Sequence, residues 1–237
     1  SAKKAGVLDV CKKHEIPFID LAKSEYLEKT YDNFNFRIAR EILERKIINM
    51  PVMKTNSQII ISGAMENMLR VVDEDTQKGM FEKDINKTLP KLIKTLPEFL
   101  TIGDATIGLQ GNGPTLLGEP AFLNMLFLSK DPVALDAVFA ESGILTIPQY
   151  VKIASLLDVG NCDTKKIEIV GDELRSPGGF RTAELLPRFE SAPCRIRVEG
   201  QLKGDLQAWP VLTCGTEDSS IIWAGDSLSK GGVELEL

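Results

Sequence analysis

Leu123-Asn124-Met125-Leu126-Phe127-Leu128-Ser129, followed at once by Lys130-Asp131-Pro132-Val133-Ala134-Leu135-Asp136-Ala137-Val138, sorts this sequence into a fold class. The first part is a short apolar run bounded by polar residues, the signature of a buried strand. Asp131-Pro132 then starts a helix: a side-chain acceptor stands at the N-cap, and a proline fills the first position, where no backbone donor is needed. The helix should run to about Ser142. It is apolar nearly all round, with Val133, Ala134, Leu135, Ala137, Val138, Phe139 and Ala140, so it is expected to be buried. Within it Asp136 lies between Pro132, Val133, Phe139 and Ala140, while Glu141 points roughly 140° away, so the two do not share a polar face.

The β-then-α step repeats outward from this centre. Upstream, Ala2 to Glu15 reads as a helix with Ala5, Leu8 and Cys11 on one stripe, followed by an apolar strand from Ile16 to Leu21. Arg37 to Lys46 reads as a helix, Ile47 to Met50 as a buried strand stopped by Pro51, and Ser57 to Val72 as a further helix. Ile85, Leu89, Leu92, Ile93 and Leu96 mark another helix that Pro90 should kink or split, and Phe99 to Asp104 returns as a strand. From Asp104 to Phe122 the pattern gives way to a glycine-rich loop, longer than the usual connection and therefore a functional candidate. Downstream, Pro148 to Leu157 is helical and Lys166 to Gly171 a strand. Alternation of this kind predicts a three-layer α/β fold: a largely parallel sheet with helices on both faces, spanning residues 1–175. Beyond it Cys194 to Glu199 alternates with period two and both tryptophans, Trp209 and Trp223, occur, so residues 176–237 read as a small antiparallel C-terminal appendage.

Composition narrows the function. The chain has 237 residues, 43% hydrophobic and 26% charged, the ordinary globular balance. Its 34 acidic against 28 basic residues give a net charge of -6, the wrong sign for neutralising the phosphates of nucleic acid. Cys11, Cys162, Cys194 and Cys214 form no Cys-x-x-Cys pair, so no iron–sulfur cluster and no disulfide framework are expected in this chain. His14 is the only histidine, which removes the commonest ingredient of Ser-His-Asp hydrolysis and of metal sites. No apolar run approaches the ~18 residues of a membrane span, and Ser1 to Lys13 has no apolar core of a targeting signal, so a cytoplasmic protein is expected.

In open α/β sheets ligands bind beyond the carboxyl ends of parallel strands. Pro51 to Ser57 follows such a strand and offers Lys54, Thr55 and Asn56 just ahead of an expected helix N-terminus, where an anion is favoured. The competing view is a simple helix cap with a solvated lysine. Asp104 closes another strand, and Gly111-Asn112-Gly113 would let backbone approach a ligand, although the phosphate-loop and dinucleotide fingerprints both fail there. Asp136, lacking a wet side, needs a cation, a donor network or a proton. Lys54 is the nearest candidate for the cation. A site for a hard metal built from Asp104, Asp131 and Asp136 ranks lower, because Asp131 already caps a helix.

Four segments taken in order carry a resemblance to a known family. They are Ile48-Asn49-Met50-Pro51-Val52-Met53-Lys54-Thr55-Asn56, Ser62-Gly63-Ala64-Met65-Glu66-Asn67-Met68, Asp104 with Gly111-Asn112-Gly113-Pro114, and Asp131 to Val138. Together they resemble the prokaryotic domain of unknown function 362, over roughly residues 1–175. The resemblance implies association with ferredoxin-like iron–sulfur modules and with redox or anaerobic metabolism. The chain departs from the family pattern at Asn56, where a histidine is usual, and at Glu66-Asn67, where Lys-Asn is usual. It also lacks the cluster-binding cysteines and a Lys-Pro-Asn strand expected ahead of residue 1, which marks it as a divergent or truncated member.

The leading expectation is a protein that binds a small anionic ligand, as an enzyme if Lys54, Asp104 and Asp136 act as its reactive groups, with Thr55, Asn56, Asn67, Gly111, Asn112 and Gly113 holding the ligand. The alternative is a non-catalytic partner that docks to a separate iron–sulfur or ferredoxin-type redox subunit, with Trp209 or Trp223 as anchor.

Overall fold

A computed structural model describes residues 2–3, 5–114, 118–143, 145–172, 174 and 181, and the backbone of four C-terminal strands. The chain divides into two compact units, Ser1–Ala183 and Glu184–Leu237.

In the first unit, helix α1 (Val7–Lys13) buries no residue, and the expected strand from Ile16 to Leu21 is absent: Ile16, Phe18 and Ile19 are exposed and only a 3-10 turn forms at Leu21–Lys23. A hairpin follows, β1 (Tyr26–Tyr31) with β2 (Phe34–Ala39), and takes the first three residues of the helix expected at Arg37 to Lys46. Its two-residue turn uses Asp32 and Asn33, both at positive φ as the tight hairpin turn requires. Phe34, Phe36 and Ile38 alternate inward, so the strand period overrides the helical one, and helix α2 is confined to Arg40–Glu44.

Strands β3 (Ile47–Asn49) and β4 (Val52–Asn56) are one extended run interrupted at Met50-Pro51. Ile47, Ile48 and Asn49 pair in parallel with Phe99, Leu100 and Thr101 of β6 (Phe99–Gly111), and Val52 continues the same register onto Asp104. Strand β5 (Ile60–Ser62) turns back antiparallel on β4. The helix expected over Ser57 to Val72 is therefore mostly strand and turn: only α3 (Ala64–Asn67) and a 3-10 turn at Met68–Val71 remain. Helices α4 (Glu74–Lys83) and α5 (Ile85–Thr95) follow. The chain breaks at Asp84, at positive φ and capping α5 through Asn86 N–H, and not at Pro90, which is accommodated inside the helix.

The segment expected to be a glycine loop is instead a long hairpin. Strand β6 runs to Gly111 and β7 (Gly118–Ser129) returns antiparallel along it, leaving a connection of only 112–117. The glycines serve close packing of backbone on backbone. A Cβ at Gly108 would meet the Met53 carbonyl, and one at Gly113 the Thr55 carbonyl. Helices α6 (Pro132–Ser142) and α7 (Gln149–Leu156) form as the sequence suggests, whereas Lys166 to Gly171 is no strand and only a 3-10 turn at Thr164–Lys166 is regular.

The fold class stands: α/β, with a sheet whose interior pairings are parallel and whose outer strands β5 and β7 are antiparallel. One face of this sheet is the core. Met53, Phe99, Ala105, Leu89, Leu92, Val133 and Phe139 are buried in one cluster, and each such side chain contributes ~1.5–3 kcal/mol by leaving water. The opposite face is apolar too, yet Ile48, Met50, Val52, Leu126 and Leu128 are 44–68% exposed, so no second helical layer covers them among the described residues.

In the second unit β8 (Arg195–Val198) pairs antiparallel with β11 (Val233–Glu236), and β9 (Val211–Thr216) with β10 (Ser219–Ala224), as expected for the appendage. Trp209 lies outside the described residues, and Trp223 falls in β10.

Candidate functional site

Lys54 lies within a strand, not ahead of a helix N-terminus, because the residues after it form the β4–β5 turn. It is half-buried and pairs with Ser62 on one side and Leu109 on the other. Asn56 makes that turn: its Oδ1 accepts from Gln58 N–H (2.8 Å) and Ile59 N–H (3.2 Å), and its Nδ2 donates to Ser62 Oγ (2.9 Å). Thr55 Oγ1 donates to the carbonyls of Gly111 (2.8 Å) and Leu109 (3.3 Å), and Ser57 N–H donates to the Gly113 carbonyl. The structure thus brings Thr55, Asn56, Gly111, Asn112 and Gly113 to one end of the sheet, with Thr55 and Asn56 engaged in holding backbone there.

Asp136 is fully buried, and a donor network satisfies it. Its Oδ1 accepts from Ala64 N–H (2.6 Å), and its Oδ2 from Met65 N–H (3.1 Å) and the Tyr150 hydroxyl (3.3 Å). The carboxylate occupies the N-terminus of α3, so the helix end that was to receive an anion already holds one from α6. Gly63 makes this approach possible, since a Cβ there would collide with Asp136 Oδ1. Burial pushes the Asp136 carboxyl up to about 7 against the pull of these donors, and the nearby Glu66 charge adds to the rise. Lys54 is not its counter-ion. The Lys54 charge acts on Glu66, whose own carboxyl is raised by burial and drawn back by Arg70, Lys54 and a hydrogen bond with Ser62. Asn67 also turns inward: its Nδ2 donates to Asn49 Oδ1 (2.7 Å), and Asn49 in turn donates to the Ala64 carbonyl and Thr101 Oγ1.

Asp131 caps α6 as expected, its Oδ1 accepting from Val133 and Ala134 N–H. Its Oδ2 also accepts from Asn161 N–H, against Gly160, whose lack of a Cβ admits the carboxylate. With Asp131 and Asp136 each engaged by its own set of backbone donors, the three-carboxylate metal site does not form, and among the described residues no group of three or more His, Cys, Asp or Glu could hold a metal ion. Cys11 and Cys162 are free thiols.

Asp104 stands apart from both clusters. It lies mid-strand, between Val52 of β4 and Leu126 of β7 in register, on the face that no helix of the described residues covers. Its Oδ1 accepts from Thr106 N–H (2.9 Å) and Thr106 Oγ1 (2.6 Å), which hold its carboxyl below the usual range. Around it are the exposed Met50, Val52, Leu126 and Leu128 and the half-buried Leu100 and Ile102. Ile107 and Phe122, paired in register, are exposed nearby. These apolar residues are the surface feature that a search for polar groups misses. Their signal is present in the sequence: Met125 to Leu128 is apolar at inward and outward positions alike, the pattern of a strand covered on both faces.

A family model described as a domain of unknown function, DUF362, matches residues 1–141, more than half of the chain. The chain belongs to this family. No curated protein and no solved structure matches it. The DUF362 match takes in the sheet face around Asp104 and Asp136 with its α3 donors, while Tyr150, the third donor to Asp136, lies beyond the matched residues. Among the described residues no helix is long and apolar enough to cross a membrane.

Proposed function

We propose that this DUF362 chain is a non-catalytic docking subunit, and that the uncovered face of its sheet binds a separate protein. The observation that carries this reading is the apolar face itself: Ile48, Met50, Val52, Leu126 and Leu128 lie exposed on the two strand runs that flank β6. Soluble domains rarely leave a contiguous patch larger than a few hundred Å² unless something binds it. The polar residues that a catalytic reading would use support the same choice. Asp136, Asn56, Thr55 and Asn67 are each engaged by backbone or by a neighbouring polar side chain, so these residues of the expected anion site do not converge on open space beside Lys54. The family resemblance supports, as the class of partner, a ferredoxin-type iron–sulfur protein of prokaryotic redox or anaerobic metabolism.

Site-specific photocrosslinking tests this. With a photoreactive residue at Leu126 or Met50, cells of the source organism should yield one discrete adduct whose partner carries the clustered cysteines of a ferredoxin. The same residue at exposed Lys78 on α4 should not. Equal labelling from both positions, or none from Leu126 and Met50, would contradict the docking function.

A further inference from the structure

The uncovered face has one feature that a generic apolar patch lacks, a carboxylate near its middle. Asp104 is flanked in register by Val52 and Leu126, and Ile102 and Leu128 form the neighbouring pair. Both Thr106 donors go to Oδ1, and no cation of the described residues pairs with the group, Lys54 included. Covering it with apolar surface alone would bury an unpaired charge, which is strongly disfavoured. Any occupant that covers the face must therefore bring a positive charge to this point.

The occupant's shape follows from the strands. β3, β4 and β6 pair in parallel, and parallel strands take helices on both faces; here α3, α5 and α6 supply one face only. The exposed residues lie on both sides of β6, the width that one helix laid along the strands would cover. A second copy of this chain fits less well, since a two-fold that overlays the two faces brings the two Asp104 carboxylates toward each other.

Resting on the docking function argued above, we infer that this face receives an amphipathic α-helix of the partner protein, whose apolar side carries a single arginine or lysine placed to meet Asp104. The helix covers Met50, Val52, Leu126 and Leu128, and its cation takes the free Oδ2 of Asp104.

Two synthetic helical peptides provide the probe, identical and leucine-rich along one side except for arginine or glutamate at the centre of that side. Fluorescence anisotropy with the full chain should give at least tenfold tighter binding of the arginine peptide. Asp104→Asn should remove that preference, and Leu126→Asp or Leu128→Asp should abolish binding of both peptides while circular dichroism remains unchanged. Equal binding of the two peptides, still lost in Leu126→Asp, would overturn the cation requirement and leave the docking function standing. Peptide binding unaffected by Leu126→Asp and Leu128→Asp would count against the docking face itself. Failure of both peptides to bind, or a dimer of the peptide-free protein in ultracentrifugation that Leu126→Asp dissociates, would overturn the helix as occupant.

Discussion

Asp136 shows how a single residue can look catalytic in sequence and be structural in the fold. Its missing wet side is real, and its raised pKa follows, but the donors that settle it come from α3 and α7, more than ten residues away in either direction. No helical wheel reports them. The pH dependence has a definite sign. The folded carboxyl sits at about 7 against an ordinary 3.8, so the fold binds this proton more tightly than the unfolded chain does. Its contribution to stability is fully present below about pH 4 and is lost as pH rises toward 7, and Glu66, also raised, adds the same sign. Denaturant titrations between pH 4 and 8 should show this decline, and Asp136→Asn should flatten it. Gly63→Ala should destabilise the domain by roughly 1–3 kcal/mol, because the added methyl displaces Asp136 from the α3 amides. A melting temperature unchanged by that substitution would remove Asp136 from its capping position.

At the scale of elements, legibility followed how local the deciding interaction is. Helix α6 was readable to the residue, since Asp131, Pro132 and an apolar run act within one turn of each other. The β1–β2 hairpin was readable in principle from Asp32-Asn33 between alternating runs, but the helical spacing of Ile38, Ile42 and Leu43 competed with it. The β6–β7 hairpin was hidden because its glycines, which resemble loop formers, are used to pack against the β4 backbone, a contact some fifty residues away in sequence. Asp131 illustrates the same limit: the cap was legible, the bond to Asn161 was not. Asp131→Ala should therefore cost about 1–2 kcal/mol and speed amide exchange at Asn161 as well as at Val133 and Ala134. Exchange confined to α6 would limit Asp131 to its own helix.

For the whole molecule, the central asymmetry is a sheet with one apolar face covered by helices and one that no helix of the described residues covers. The class was legible because alternating strands and helices leave few other arrangements, but coverage was not, because an apolar run has the same composition whichever chain covers it. Adjacent positions on β7 should report the asymmetry directly. Phe127, edge-on to Phe139, should cost about 2 kcal/mol or more as alanine, whereas exposed Leu126→Asp should change stability by no more than about 0.5 kcal/mol. The most direct test uses two methionines on the interrupted β3–β4 run: Met50, 68% exposed, and Met53, fully buried. With methyl-labelled methionine and a soluble paramagnetic agent, NMR should show strong broadening at Met50 and none at Met53, with Met50 becoming protected when the arginine-bearing helix is added. Equal protection of Met50 and Met53 in the isolated chain, or a Met50 signal that no helix protects, would contradict the account.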